Sequence, residues 1–376
     1  MEDRKIKVAI THGDTNGTGY EQIFKVFADP EMLELCTPVI YGSPKVAAYH
    51  RKALDTQAAF TIISDAEDTH EGKVNLLTTF DDEVKVELGL PSKESAAAAL
   101  KALDRAIADY KQGLFDVLVT SPMNNAATIT PDMPFAGNGI YVATHTDDAA
   151  TAVNMLVTEQ IRVALATDGV PMGQVEGLLS KNDLQEKCIS VYKSLKRDFG
   201  LSNPRIALLS LNPEEAVANN DTFEENIITP TIEALSAQGI QAFGPYQGDE
   251  FFGNCLYSQF DIVVAMYHDQ GAIPFRLLAG EDAVEYTAGL PIICTQPCHN
   301  PQFQLAGKGT SDPTALRHAI YTAIDIYRNR DAYDEPTANP LKKLFHEKRD
   351  DSDKARFAVT KKKDNDDKES QTQAEA

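Results

Sequence analysis

The chain has 376 residues, 43% hydrophobic and 24% charged, enough for a sizeable core and for about two domains of roughly 150 residues each. Its formal net charge of −21 opposes nucleic-acid phosphates, although a local pocket on an acidic surface can still attract an anionic metabolite. No apolar run approaches the roughly 18 residues of a membrane span, and the charged N-terminus lacks a secretory apolar stretch. The expectation is a cytoplasmic globular protein with no nucleic-acid or membrane partner, its five scattered cysteines reduced.

Residues 7–11 form the first expected strand. The loop Thr11-His12-Gly13-Asp14-Thr15-Asn16-Gly17-Thr18-Gly19 follows, then a helix-like stretch over 22–27. Glycines there permit close backbone approach, so N–H groups could face an anion near the helix start. Dinucleotide and P-loop spacings both fail, and ligand loop and tight turn stay open, with Asp14 and Asn16 as candidate cleft residues. Further strands are expected at 38–41, 60–63, 116–120, 162–167, 205–211 and 261–267, all nearly continuous apolar runs, the mark of strands covered on both faces. Helices are expected at 95–109, 147–160 and 184–199. This alternation predicts an α/β fold. From about Lys348 the chain turns polar and mixed in charge, and 348–376 reads as a disordered tail.

Three later segments carry candidate chemistry. Thr120-Ser121-Pro122-Met123-Asn124-Asn125 is a polar loop at the carboxyl end of a strand, where ligands of open α/β sheets gather. Tyr267-His268-Asp269-Gln270-Gly271 stands at another such end and offers an imidazole and a carboxylate, both metal ligands. Ala306-Gly307-Lys308-Gly309 is a basic glycine turn suited to a nucleotide's phosphates or adenosine.

Taken in order, these segments, together with Leu211-Asn212-Pro213 and Thr287-Ala288-Gly289-Leu290-Pro291, resemble the 4-hydroxythreonine-4-phosphate dehydrogenase family of pyridoxal-phosphate biosynthesis. The resemblance spans about 5–330. It implies two α/β/α domains with a cleft between them, like isocitrate and isopropylmalate dehydrogenases. The expected domains are 1–135 with 286–347, and 136–285, the second carrying the dimer contact and cleft. It also implies a homodimer, a small phosphorylated metabolite as substrate, NAD as cofactor, and a divalent metal (Zn, Mg, Mn or Co) that polarises the alcohol oxygen.

Carried over by position, the resemblance makes Asp269 and Arg276 catalytic and His268 a metal ligand. It makes Asn138, Gly139, Arg276 and Glu285 substrate contacts, and Ala306, Gly307, Lys308 and Gly309 cofactor contacts. The chain departs from the family pattern where the chemistry lies. Gly169 stands at the first metal histidine and Glu214 at the second, with Asp168 and Glu214 as oxygen substitutes. Asn138 and Gly139 replace a histidine and a threonine, Asn125 and Arg276 replace lysines, Glu285 replaces an asparagine, and Cys294 replaces an arginine. Two readings follow: a dehydrogenase with a rebuilt site, or a catalytically inactive paralogue that binds a ligand or partner.

Overall fold

The computed structural model describes residues 4–80, 84–124, 137–146, 152–213 and 222–338; the tail 348–376, Asn125 and Glu214 lie outside them. The strands are β1 (Ile6–Thr11), β2 (Cys36–Gly42), β3 (Thr61–Ile63), β4 (Asn75–Thr78), β5 (Val117–Thr120), β6 (Val153–Val157), β7 (Arg162–Leu165), β8 (Arg205–Leu209), β9 (Gln241–Tyr246), β10 (Ile262–Ala265), β11 (Val284–Ala288) and β12 (Cys294–Pro297). They form one sheet in the order β3-β4-β2-β1-β5-β12-β11-β6-β7-β10-β8-β9. Six strands, from β3 to β12, run parallel, and so do the last four, from β7 to β9. Between these blocks β11 is antiparallel to both β12 and β6, and β6 is antiparallel to β7.

The helices that matter for the site are α1 (Gly19–Val26), α2 (Lys93–Lys111), α3 (Asn138–His145), α4 (Lys181–Arg197), α5 (His268–Ala279) and α6 (Thr314–Ala338). Ala-rich α2 starts where the Ser92 side chain accepts the Ser95 N–H, and α4 starts in a Ser180/Asp183 capping box. The mixed α/β class and the seven expected strands are present, with ends shifted by up to two residues. The helix expected over 147–160 is corrected: 147–151 lie outside the described residues, and Val153–Val157 is strand β6. Its apolar side chains at 153, 155 and 157 alternate with Asn154 on the other face, a pattern that an Ala-rich flank disguises as helical.

One core runs under the full width of the sheet, with Val8, Val119, Met155, Ala164, Ile206, Val264 and Tyr286 on that face. On the opposite face the core is divided. Ala9, Val39 and Leu118 pack with Leu103 of α2 and Val142 of α3. Val163, Leu165 and Ala207 pack with Ala272 and Phe275 of α5. The gap between these two cores lies over β12, β11 and β6.

The opening loop proves to be a tight turn. The Asp14 N–H donates to Pro122 O (3.0 Å), Gly17 N–H to Asp14 O (3.0 Å) and Thr18 N–H to Pro301 O (3.1 Å). Asn16 N–H donates to Asp14 Oδ1 (2.9 Å), and its side chain bridges Glu87 N (2.9 Å) and Leu90 O (2.8 Å). These donors are committed to protein acceptors, so the loop offers little to an anion, and Asp14 and Asn16 are corrected from cleft residues to buried packing residues.

Within this turn His12 is fully buried and stacks on Tyr20, ring centroids 5.2 Å apart. Burial lowers its pKa to about 4, and burial lowers that of His50 as well, whose Nε2 lies 2.7 Å from Thr15 O. Across the sheet, Arg330 of α6 sits on Asp198 (Nε–Oδ1 2.7 Å) and caps Leu290 O (3.0 Å), while the Tyr286 hydroxyl donates to Asp198 Oδ2 (2.5 Å).

Two predictions follow from these buried polar groups. Arg330→Met leaves the Asp198 carboxylate buried without its cation, so the urea midpoint is expected to fall by an amount equivalent to about 3–5 kcal/mol. A loss under about 1 kcal/mol would show the pair to be dispensable. For His12, the unfolded imidazole takes a proton near pH 6.5 while the folded one resists until about pH 4. Stability should therefore be intact above pH 6.5 and decline on acidification toward pH 4, by roughly 3 kcal/mol from this residue. His12→Phe should flatten that part of the profile measured by urea unfolding; an unchanged slope would refute the assignment.

Candidate active site

The gap over the central strands is a cavity of about 810 Å³. Asn138, Gly139, Asp168, His268, Asp269, Arg276 and Glu285, seven of the residues expected from sequence, all line it. They arrive from different elements: α3 supplies the first two, the turn after β7 Asp168, α5 the next three, and β11 Glu285. Glu214 lies outside the described residues. Ala306, Gly307, Lys308 and Gly309 do not line the cavity; they form a turn, half-buried at Ala306 and Gly307 and exposed at Lys308 and Gly309, next to Phe303 and Gln304, which do. Lys25 of α1 holds that turn through Gly309 O (2.9 Å) and Ser311 O (2.6 Å).

The segment His268-Asp269-Gln270-Gly271 divides its labour. Gln270 accepts from Met266 N (2.8 Å) and donates to Ser210 O (2.6 Å), tying α5 to the ends of β10 and β8. Gly271 lets the helix settle on the sheet, since a Cβ there would lie 2.7 Å from Val163 Cγ1 and 2.9 Å from Ala265 Cβ. His268 and Asp269 remain exposed at the cavity rim, with His268 Nδ1 2.8 Å from Asp269 Oδ1. Asp269, Ala272 and Arg276 follow at i, i+3 and i+7 on the face of α5 that lines the cavity.

The cavity floor is built from alternating strand positions. Glu285 pairs across the sheet with Gln296 on β12 and Leu156 on β6, and Thr287 pairs with Asn154. Gln296 donates through Nε2 to Glu285 Oε2 and accepts at Oε1 from Asn138 Nδ2 (2.8 Å) and Thr120 Oγ1 (3.0 Å). Asn138 Nδ2 also reaches Thr120 Oγ1 (3.0 Å) and Ser121 O (3.2 Å). Asn154 donates to Asp168 Oδ2 (2.9 Å). Gly139 is pressed against Thr287, where an added Cβ would come within 1.8 Å of Oγ1. The sequence reading gave no role to Gln296, Asn154 or Thr287; the alternation Val284-Glu285-Tyr286-Thr287-Ala288 is the signal that finds Thr287, while Gln296 and Asn154 follow from strand register.

Electrostatically, burial raises the Glu285 pKa, and the negative charge of Asp168 adds to this; the Gln296 hydrogen bond and Arg276 oppose it. Burial pushes the Cys294 thiol up to about 12, and raises Cys298 too, with Glu285 adding to both. These thiols are neutral lining groups, not nucleophiles. His299 is lowered mainly by burial. Three carboxylates, Asp168, Asp269 and Glu285, thus face the cavity with one guanidinium, Arg276.

A metal does not fit this donor set. Among the described residues no three His, Cys, Asp or Glu side chains converge as a metal group. Asp168 is engaged by Asn154, and Gly169 contributes no side chain. A dinucleotide does fit the exposed turn in kind: Gly307 and Gly309 take φ of 74° and 70°, and Lys308 is solvent-facing between them. No described helix is long and apolar enough to cross a membrane.

Comparison with known proteins agrees with this architecture. The model of the PdxA family, pyridoxal phosphate biosynthetic protein PdxA, matches residues 34–323. A 4-hydroxythreonine-4-phosphate dehydrogenase of Bacteroides thetaiotaomicron is 46% identical over 358 residues, 95% of this chain and 98% of that one. One from Sulfurihydrogenibium is 33% identical over 326 residues, 86% and 99% of the two chains. Among solved structures, the 4-hydroxythreonine-4-phosphate dehydrogenase of Klebsiella pneumoniae superposes with a TM-score of 0.71 at 26% identity, covering 87% of this chain and 99% of that one. The enzyme of Burkholderia phymatum gives 0.68 at 26% identity, covering 86% and 99%. The fold, the cleft and these likenesses together make the chain a member of the PdxA family of pyridoxal phosphate biosynthetic proteins.

Proposed function

We propose that this chain keeps the family scaffold and a nucleotide-binding turn, but that its rebuilt cleft serves a small polar molecule other than 4-hydroxythreonine-4-phosphate and works without the metal. The observation that carries this reading is the hydrogen-bonded run Asn138–Gln296–Glu285. Its two ends, Asn138 and Glu285, occupy positions at which the family resemblance expects substrate contacts. A phosphate dianion there would face Glu285 and Asp168, and the arginine expected at 294 is a neutral thiol. Each charge-assisted hydrogen bond lost to a phosphate costs about 1.5–3 kcal/mol.

In this reading Gly307, Lys308 and Gly309 would hold the dinucleotide's phosphates or its adenosine edge. NAD, when bound, supplies a hydride acceptor. Arg276 and Asp269 orient the ligand from α5, and His268, hydrogen-bonded through Nδ1 to Asp269, is the residue placed to take a proton at its other nitrogen. The second reading, retained oxidation of 4-hydroxythreonine-4-phosphate, is favoured by the 46% identity along nearly the whole Bacteroides relative.

Two experiments test these proposals. NADH formation from 4-hydroxythreonine-4-phosphate, with zinc, magnesium, manganese or cobalt supplied in turn, is expected at least about 10³-fold below that of a relative with all three metal histidines. Metal-dependent turnover within an order of magnitude of that relative would establish the second reading instead. The proposed partner is a second copy of this chain, supported by the outward apolar side chains of α5, Leu277 at 82% and Ile273 at 57% exposure. Leu277→Glu should turn a dimer into a monomer by light scattering; a monomeric wild-type chain would remove the proposal.

A further inference from the structure

The hydrogen bonds of the cavity floor fix which atoms are left for a ligand. Gln296 Oε1 receives both Asn138 Nδ2 and the Thr120 hydroxyl, so its Nε2 must point at Glu285. The reverse orientation would set amide against amide and oxygen against carboxylate. Asn138 is fixed in the same way, because Ser121 O only accepts. Its Oδ1 is therefore turned away from that network. The residue is 3% exposed, lines the cavity, and this oxygen has no partner among the described residues.

The donors of the floor are thus largely consumed internally, and acceptors remain. These are Asn138 Oδ1, unpartnered among the described residues, and the carboxylates of Glu285, beside the Cys298 thiol, and Asp168, held through one oxygen by Asn154. A buried acceptor left unpaired is costly, so the favoured occupant brings N–H or O–H groups. The dianion of a phosphate monoester brings none.

Resting on the reading above, in which the cleft has left its phosphorylated substrate, we infer that this floor is a subsite for a small hydroxylated primary amine without phosphate. Its ammonium is received by Glu285, and its remaining donors by Asn138 Oδ1 and Asp168. The positive charge adds to Arg276 in offsetting the repulsion that Asp168 exerts on Glu285. Amine binding then draws Glu285 to its ionised form and releases a proton wherever that carboxyl is partly protonated beforehand.

Isothermal titration of the full chain with serinol, glycerol and inorganic phosphate as separate probes tests the inference. Serinol should bind saturably, with proton release seen as a dependence of the heat on buffer ionisation. Glycerol, the neutral counterpart, should bind at least roughly tenfold more weakly, and phosphate should not displace serinol. Glu285→Gln, which keeps the side-chain shape and a hydrogen bond to Gln296, should weaken serinol by a similar factor. The wild-type comparison of serinol with glycerol stands even if that variant misfolds. Equal binding of serinol and glycerol, displacement of serinol by phosphate, or absence of serinol binding would each overturn the inference. The reading it rests on fails separately, by metal-dependent NADH formation from the phosphorylated substrate.

Discussion

Strand β11 is the constraint on which the rest of the molecule turns. It is antiparallel to both neighbours and, with the antiparallel step from β6 to β7, lies between two parallel blocks that run in opposite senses. Strand alternation then gives its two faces different tasks. Tyr286 enters the continuous core and meets Asp198 and Arg330, which link α4's end and α6 to the seam. Glu285 and Thr287 point the other way, into the gap between the two divided cores. The buried ion pair and the cavity floor are therefore neighbours through one strand, and a shift of register by one residue would exchange them.

The floor behaves as a unit because, among the described residues, Gln296 links Glu285 to the Asn138–Thr120 pair. An amide has two ends of opposite hydrogen-bonding character, so satisfying one end dictates what the other can face. With an asparagine at 138 and a carboxylate at 285, every contact in the run is a donor meeting an acceptor. Gly139 fits the same scheme from the side, since the tight approach of α3 to Thr287 leaves no room for a larger residue. The residues at 138, 139 and 285 are thus physically coupled rather than scattered, as expected of a polar network in a partly closed site, where a half-satisfied arrangement costs more than either complete one.

Much of the scaffold was legible in sequence because covered parallel strands are short apolar runs, and 7–11, 116–120 and 205–211 read that way without help. The half-covered strands were not, and they are the ones that carry the site. Val153–Val157 looked helical, while Val284–Ala288 and Cys294–Pro297 lacked an unbroken apolar run because polar residues must alternate there to line a cavity. Family resemblance supplied Asn138 and Glu285 by position, but a pairwise likeness carries no information about Gln296, whose role exists only once β11 and β12 are in register. The opening glycine loop misled in the opposite direction. Its composition suits an anion cradle, yet its N–H groups are committed to Pro122, Asp14 and Pro301.

The sign of the cavity follows from the same geometry. Asp168, Asp269 and Glu285 outnumber Arg276, and the buried thiols Cys294 and Cys298 stay neutral, so no second cation compensates among these lining groups. Arg276 is exposed on α5 and well solvated, which weakens its pull on the deeper Glu285. Asp168 is held close by Asn154 and adds a repulsion that burial does not relieve. At 285 and 294, where the family resemblance leads one to expect an asparagine and an arginine, this chain presents a carboxylate and a thiol on the adjacent strands β11 and β12. A scaffold can therefore be kept intact while the charge it offers to a ligand is reversed, because the strands fix where side chains point and leave their chemistry to the residue at each alternate position.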